Sequence, residues 1–156
     1  MPAAKVRSKW QADGSLAFSE SGAARLILPG TVYNIRTRFT IAQVNAGATL
    51  LAALAGFKYR MVAARAIAVG GAVGATTTVD ILATLSSSRK LVAFAQASLT
   101  QSAVLKDGGT GAAVLADGAS YTANDANTAV TVGVTGSPIT TATHVDISFD
   151  YVLEAA

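Results

Sequence analysis

The chain has 156 residues, enough for one domain with a sizeable core and a short appendage. Apolar residues make up 51% of it and charged residues only 13%, whereas a free monomer normally needs about a quarter of its residues charged; the balance points to a surface covered by copies of itself or by a partner, with a Thr/Ser/Ala-coated sandwich as the blander alternative. The absence of cysteine excludes disulfides, thiolate metal sites and a cysteine nucleophile, and the net charge of +3 excludes a strongly polybasic chain.

That small net charge hides an asymmetry. Residues 1–90 carry eleven Lys/Arg against three acids, +8, and residues 91–156 carry Lys106 against six acids, −5. A dipolar chain of this kind suits head-to-tail docking, an acidic protein shell or nucleic acid, and charge alone does not choose among them.

Residues 1–30 differ from the rest. Lys5, Arg7 and Lys9 alternate with Val6 and Ser8, the sole tryptophan Trp10 follows, and Asp13-Gly14-Ser15 is a turn signal. The positive start is not followed by an apolar run, so it does not read as a secretory signal, and synthesis and assembly in a cytoplasm are expected. Leu16 and Phe18 add isolated apolar residues, and Gly22 and Pro29-Gly30 punctuate the segment again. The expectation is an extended N-terminal arm with small anchors, the alternative being a first strand near Arg25 packed into the core. Large aromatics and arginine are over-represented at interface hot spots, which makes Lys5, Arg7, Lys9, Trp10, Phe18 and Arg25 the candidate partner-interface residues.

Strands are expected throughout residues 31–156. Tyr33, Ile35, Phe39 and Ile41 alternate with Asn34, Arg36, Arg38 and Thr40. Ala48 to Ala55 has helix propensity but is too short to stand alone, so a strand and corner ending at Gly56 are expected. Phe57 to Val69 alternates again, with Arg65 on the apolar side, which predicts a bulge or register change near it. Gly70–Gly74 reads as a loop, Thr76 to Leu85 as a β-branched strand with Val79, Ile81, Ala83 and Leu85 inward, and Ser86 to Lys90 as a polar turn. Leu91 to Gln96 is a further strand. Residues 99–125 are the least periodic, with short segments at Ala112–Leu115 and Ala119–Thr122. Thr128 to Thr135 is a strand and Gly136-Ser137-Pro138 a turn. The last stretch has Val145, Ile147, Phe149, Tyr151 and Leu153 on one side and His144, Asp146, Ser148, Asp150 and Glu154 on the other, with Val152 as the exception. About eight short strands with Gly/Ser/Asn/Asp turns predict an all-β antiparallel sandwich, a jelly roll first. An immunoglobulin-like sandwich comes second, because the Cys…Trp…Cys spacing is missing. No uninterrupted apolar run approaches the roughly 20 residues of a membrane helix.

The pattern offers no catalytic constellation. His144, Asp146 and Ser148 share a face, but i, i+2 neighbours on a strand stand roughly 7 Å apart, too far to hydrogen-bond within it. The glycine runs at 70–74 and 108–111 lack the Lys-Ser/Thr of a phosphate loop and read as turns. Asp107, Asp117 and Asp125 lie in loops without the spacing of a calcium ladder, and Glu20 and Glu154 offer no glycosidase pair. No metal or other cofactor is expected. Arg36, Arg38, Lys58, Arg60, Arg65, Arg89 and Lys90 lie on or beside strands, yet Tyr33, Phe39, Phe57 and Tyr59 fall on the face opposite their neighbouring cations, so the stacking platform of a nucleic-acid-binding sheet is not expected.

The segment Val44-Asn45-Ala46-Gly47-Ala48-Thr49-Leu50-Leu51 through Gly56-Phe57-Lys58-Tyr59-Arg60-Met61, the Thr-rich strand Thr76–Leu85 and the closing strand from His144 to Leu153 together resemble the small jelly-roll proteins that decorate tailed-phage heads, the cement or head-fibre base proteins. The likeness spans most of residues 31–156 and rests on turns and strands rather than on invariant chemical residues. It implies a non-enzymatic homotrimer on the capsid exterior, with the major capsid protein and itself as partners and an N-terminal arm reaching neighbouring subunits. A trimeric receptor- or glycan-binding tip of a tail fibre or surface appendage is the alternative, with Tyr121 as the one loop aromatic between Gly70 and Thr143 suited to it.

Overall fold

A computed structural model of the protein describes residues 7–10, 16–20, 23–27, 30–85, 87–107, 109, 112–115 and 118–156. It divides into two compact units, Met1–Thr31 and Val32–Ala156.

In the first unit the backbone forms three short strands, β1 (Arg7–Trp10), β2 (Leu16–Glu20) and β3 (Ala23–Ile27), in an antiparallel meander. The register sets Trp10 opposite Leu16, Ser8 opposite Phe18, and Phe18 opposite Arg25. Within the stretch expected as an arm, these described residues pair strand to strand in a sheet of their own.

The second unit is an all-β antiparallel sandwich. Sheet I runs in the order β4 (Tyr33–Thr40), β12 (His144–Ala155), β6 (Phe57–Val69), β9 (Leu105–Lys106); sheet II runs β10 (Ala112–Ala113), β8 (Ser87–Ala95), β7 (Thr76–Leu85), β11 (Val130–Gly136), β5 (Thr49–Leu51). With the two-residue edge strand β10 set aside, the eight remaining strands in chain order pair as 1-8-3-6 and 2-7-4-5. That is the jelly-roll order, in which the last strand lies between the first and the third. Val145, Ile147 and Phe149 of β12 face Val79, Ile81, Phe94, Val130 and Val132 across one dry core. The β6 alanines Ala64, Ala66 and Ala68 belong to the same core, where small residues beside large rings let the layers interdigitate. Part of the chain's alanine is thus spent inside.

One local expectation is met, two are corrected, and one bulge is new. The β6 bulge sits three residues before Arg65: Asp150 pairs with Ala63 and Tyr151 with Met61, leaving Val62 as the extra residue, exposed to 41%. This rephasing turns Ala64, Ala66 and Ala68 inward and Arg65 outward, which resolves the conflict its position posed. Most of the expected Ser86–Lys90 turn is strand instead: β8 begins at Ser87, which pairs with Leu85, and Arg89 and Lys90 lie inside it, while Ser86 is outside the described residues. A second bulge skips Leu91, between the Ile81–Val92 and Leu82–Lys90 pairs, so that consecutive Leu91 and Val92 are both buried. Finally, Ile41 does not extend β4 but opens a short helix, α1 (Ile41–Asn45), because Thr40 and Gln43 form a reciprocal capping box that satisfies its first amides.

Gly70, at φ +78, turns the chain out of β6, and a Cβ there would lie 2.5 Å from the Thr143 hydroxyl. Only glycine fits a left-handed position so close to another strand's approach.

Candidate functional site

The outer face of sheet I carries the densest set of polar side chains in the second unit. It follows from two features of the sequence: the period-2 alternation of β4 and β12, and the bulge that sends Arg65 out. Register then assembles rows across the sheet. Asp146 stands between Arg38 and Ile67, Ser148 between Arg36 and Arg65, and Asp150 between Asn34 and Ala63, with Lys106 of β9 next to Arg65.

Within these rows the charges are unequally committed. Arg38 donates from Nε and Nη2 to the two carboxylate oxygens of Asp146, both at 2.7 Å, the bidentate fork that guanidinium and carboxylate favour. That hydrogen bond is the main reason the Asp146 carboxyl lies below its ordinary value; desolvation opposes it, and the charges of Arg38 and His144 add to it. Arg65 reaches Asp150 with a single Nη2 contact of 3.1 Å. Asn34 donates to Ser148 Oγ at 2.9 Å and also to Asp150 Oδ1. Ser148 thereby accepts one bond and keeps its own O–H free to donate. Arg36, exposed on the same row, has no ion pair or side-chain hydrogen bond among the described residues.

A groove of about 400 Å³ lies on this face, its lining including Arg36, Arg38 with its partner Asp146, Arg65 and Ser148 together with apolar Ile67 and Val104. Val104, in the loop before β9, is 55% exposed. Four cations, Arg36, Arg38, Arg65 and Lys106, stand there against two acids, Asp146 and Asp150, leaving a formal excess of two positive charges on the face.

Beyond the bulge the same face continues with a second fork. Arg60 contacts Glu154 at 2.5 and 3.0 Å and donates from Nη1 to the Tyr121 carbonyl at 2.9 Å. The Arg60 hydrogen bond, chiefly, holds Glu154 below its usual range. Val152, the residue out of step in the sequence pattern, pairs with Arg60 on this outer side. Tyr121, 39% exposed, bonds Asp107 through its hydroxyl at 3.2 Å.

Of the interface candidates read from sequence, Arg7, Lys9 and Trp10 lie on β1, Phe18 on β2 and Arg25 on β3. Lys5 lies outside the described residues, as does Asp117 of the acidic loops. His144 meets Thr143 Oγ1 at 3.1 Å, while Asp146 is taken by Arg38 and Ser148 by Asn34, so the three do not form a relay. Among the described residues no three His, Cys, Asp or Glu side chains gather into a metal-binding group, and no helix is long and apolar enough to cross a membrane. Phe39, Phe57 and Tyr59 are buried.

Sequence reasoning missed the groove. Alternation along β4 shows that Arg36 and Arg38 share a face, but their meeting with Arg65 and Ser148 depends on cross-strand register and on the Val62 bulge. No protein-family model matches the chain, and comparison with curated proteins and with solved structures likewise yields no match.

Proposed function

We propose that this chain is a non-enzymatic virion structural protein, a homotrimeric decoration (cement) protein that binds the major capsid protein on the outside of a phage head and stiffens the shell. The observation that carries the reading is the jelly-roll pairing of the Val32–Ala156 unit, an architecture that recurs in viral capsid and lectin domains. A separate β unit precedes it and bears Arg7, Lys9, Trp10, Phe18 and Arg25. A stiff two-sheet body suits clamping, and many modest contacts repeated on a lattice bind tightly together without any one being strong.

Light scattering of the free protein, followed by co-sedimentation with phage heads, tests this. The expected result is a particle of three chain masses that sediments with heads. Deleting residues 1–20 should abolish co-sedimentation; unchanged binding after that deletion would move the contact off the N-terminal unit. A strict monomer with no affinity for heads would overturn the reading. One observation favours the alternative of a glycan-binding tip: Tyr121 is exposed at the end of a short 3-10 helix, Ala119–Tyr121, and held in place by Asp107 and Arg60. Reproducible binding on a glycan array would support it over the cement.

A further inference from the structure

We infer that the groove on the outer face of sheet I is a docking site for an acidic, aliphatic-flanked peptide segment of a partner protein. This goes beyond the decoration reading and does not depend on it, because the groove's chemistry is the same whether the partner is a viral shell or another protein.

The chemistry of the lining names the occupant. Arg36 presents an uncommitted guanidinium fork, whose planar array of donors matches a carboxylate two bonds at a time. Ser148 sits between Arg36 and Arg65 in register and has a free O–H. Arg65, held by only one contact to Asp150, retains further donors toward the same space. A carboxylate entering here gains charge-assisted bonds without first breaking the Arg38–Asp146 fork. Arg38 is already neutralised and acts as a wall.

The rest of the lining sets the class of molecule around the carboxylate. Ile67 and the exposed Val104 supply an aliphatic border, which a leucine or valine beside the acid would cover. No aromatic side chain lines the groove. Aromatic stacking is what usually holds single-stranded nucleic acid, and an aliphatic wall gives a sugar ring no comparable platform. An extended peptide also repeats its side chains about every 7 Å along one face, the spacing of the rows on this sheet. The excess of positive charge completes the match to an acidic strand.

The test uses the full-length, isotope-labelled protein and an acetylated hexapeptide alternating glutamate and leucine, with its glutamine counterpart and a polyuronate oligosaccharide as comparisons. The expected result is amide shift changes confined to Arg36, Ile67, Val104, Ser148 and their neighbours for the glutamate peptide. Arg36→Gln should weaken binding about tenfold, the loss of one charge-assisted pair, and Val104→Asn should weaken it less. Both positions are exposed, and an unchanged melting curve verifies that each variant is folded. Raising salt should weaken binding of the glutamate peptide, since exposed charges are screened within about 8 Å at physiological ionic strength. The inference is overturned by an absence of shifts at millimolar peptide, by equal binding of the glutamine peptide, by undiminished affinity in Arg36→Gln, or by tighter binding of the oligosaccharide.

Discussion

The outer faces of the two sheets read alike in sequence and differ sharply in structure. Both come from strands in which polar residues alternate with the core. On sheet I several outward charges pair side by side near the solvent, as Arg38 does with Asp146, while Arg36 stays exposed. On sheet II the outward set of β7 and β11 is mostly Thr, Leu and Gly, and its acid, Asp80, is only 1% exposed. Asp80 stands opposite Gly133 on one side and Ala93 on the other. Neither neighbour is bulky, so Thr135 and Lys90 close over the carboxylate, donating to its Oδ2 at 2.7 and 3.1 Å. Its other oxygen and the Thr78 hydroxyl have no hydrogen-bond partner among the described residues. A polar position in the alternation fixes which side of the sheet a residue takes, while its neighbours decide whether that side is wet.

The inner faces should show no such contrast, which gives the largest expected effect. Phe149 of sheet I and Phe94 of sheet II are both fully buried in the shared core. Phe149→Ala and Phe94→Ala should each destabilise by about 3–5 kcal/mol, through lost burial and the cavity left behind. Chemical denaturation with matched slopes would measure both. A cost for one well below the other would mean the two layers do not share a single core.

The outer faces should diverge under the next substitution. Asp80→Ala removes the charged acceptor shared by the Thr135 hydroxyl and the Lys90 ammonium, at a cost of about 1.5–3 kcal/mol. Lys90 keeps a partly exposed side chain, so its ammonium can turn to water, and the larger penalty of an isolated buried charge does not apply. Asp146→Asn on sheet I should leave the neutral-pH melting midpoint almost unmoved, as exposed ion pairs contribute little. Equal effects of the two substitutions would erase the distinction between the faces.

The same distinction explains what was legible in the sequence. The alternation at 33–40 and 144–153 was readable because one face of each strand is dry and the other wet, and it correctly separated Phe39 and Phe149 from Arg38 and Asp146. Arg65 announced a fault in β6, but only cross-strand pairing shows that Val62 absorbs it. The capping box at Thr40 and Gln43 was present as a Thr-x-x-Gln motif and was masked by the apolar residue Ile41 continuing the strand pattern. Asp80 could not be recognised as buried, because its burial depends on Gly133 and Ala93, residues distant in sequence whose smallness matters only after pairing. The groove was illegible for the same reason: Arg36, Ser148 and Arg65 come from three strands.

The smallest expected effect lies in acid, and it belongs to the outer face of sheet I. Asp146 and Glu154 are held below their ordinary values of 3.8 and 4.5, chiefly by hydrogen bonds from Arg38 and Arg60. A carboxyl whose folded value is lowered adds stability above its unfolded value, and that stability is lost as pH falls through the folded one. The melting midpoint should therefore decline as pH drops from the ordinary carboxylate range to below these lowered values, and the decline should stop once both groups are protonated. Salt should shrink it, because both pairs are exposed to solvent. In the double variant Asp146→Asn, Glu154→Gln the acid limb should flatten while the neutral-pH midpoint stays close to that of the parent. An acid limb of undiminished depth in that variant would assign the pH response to other carboxylates and leave the sheet I forks without a measurable part in stability.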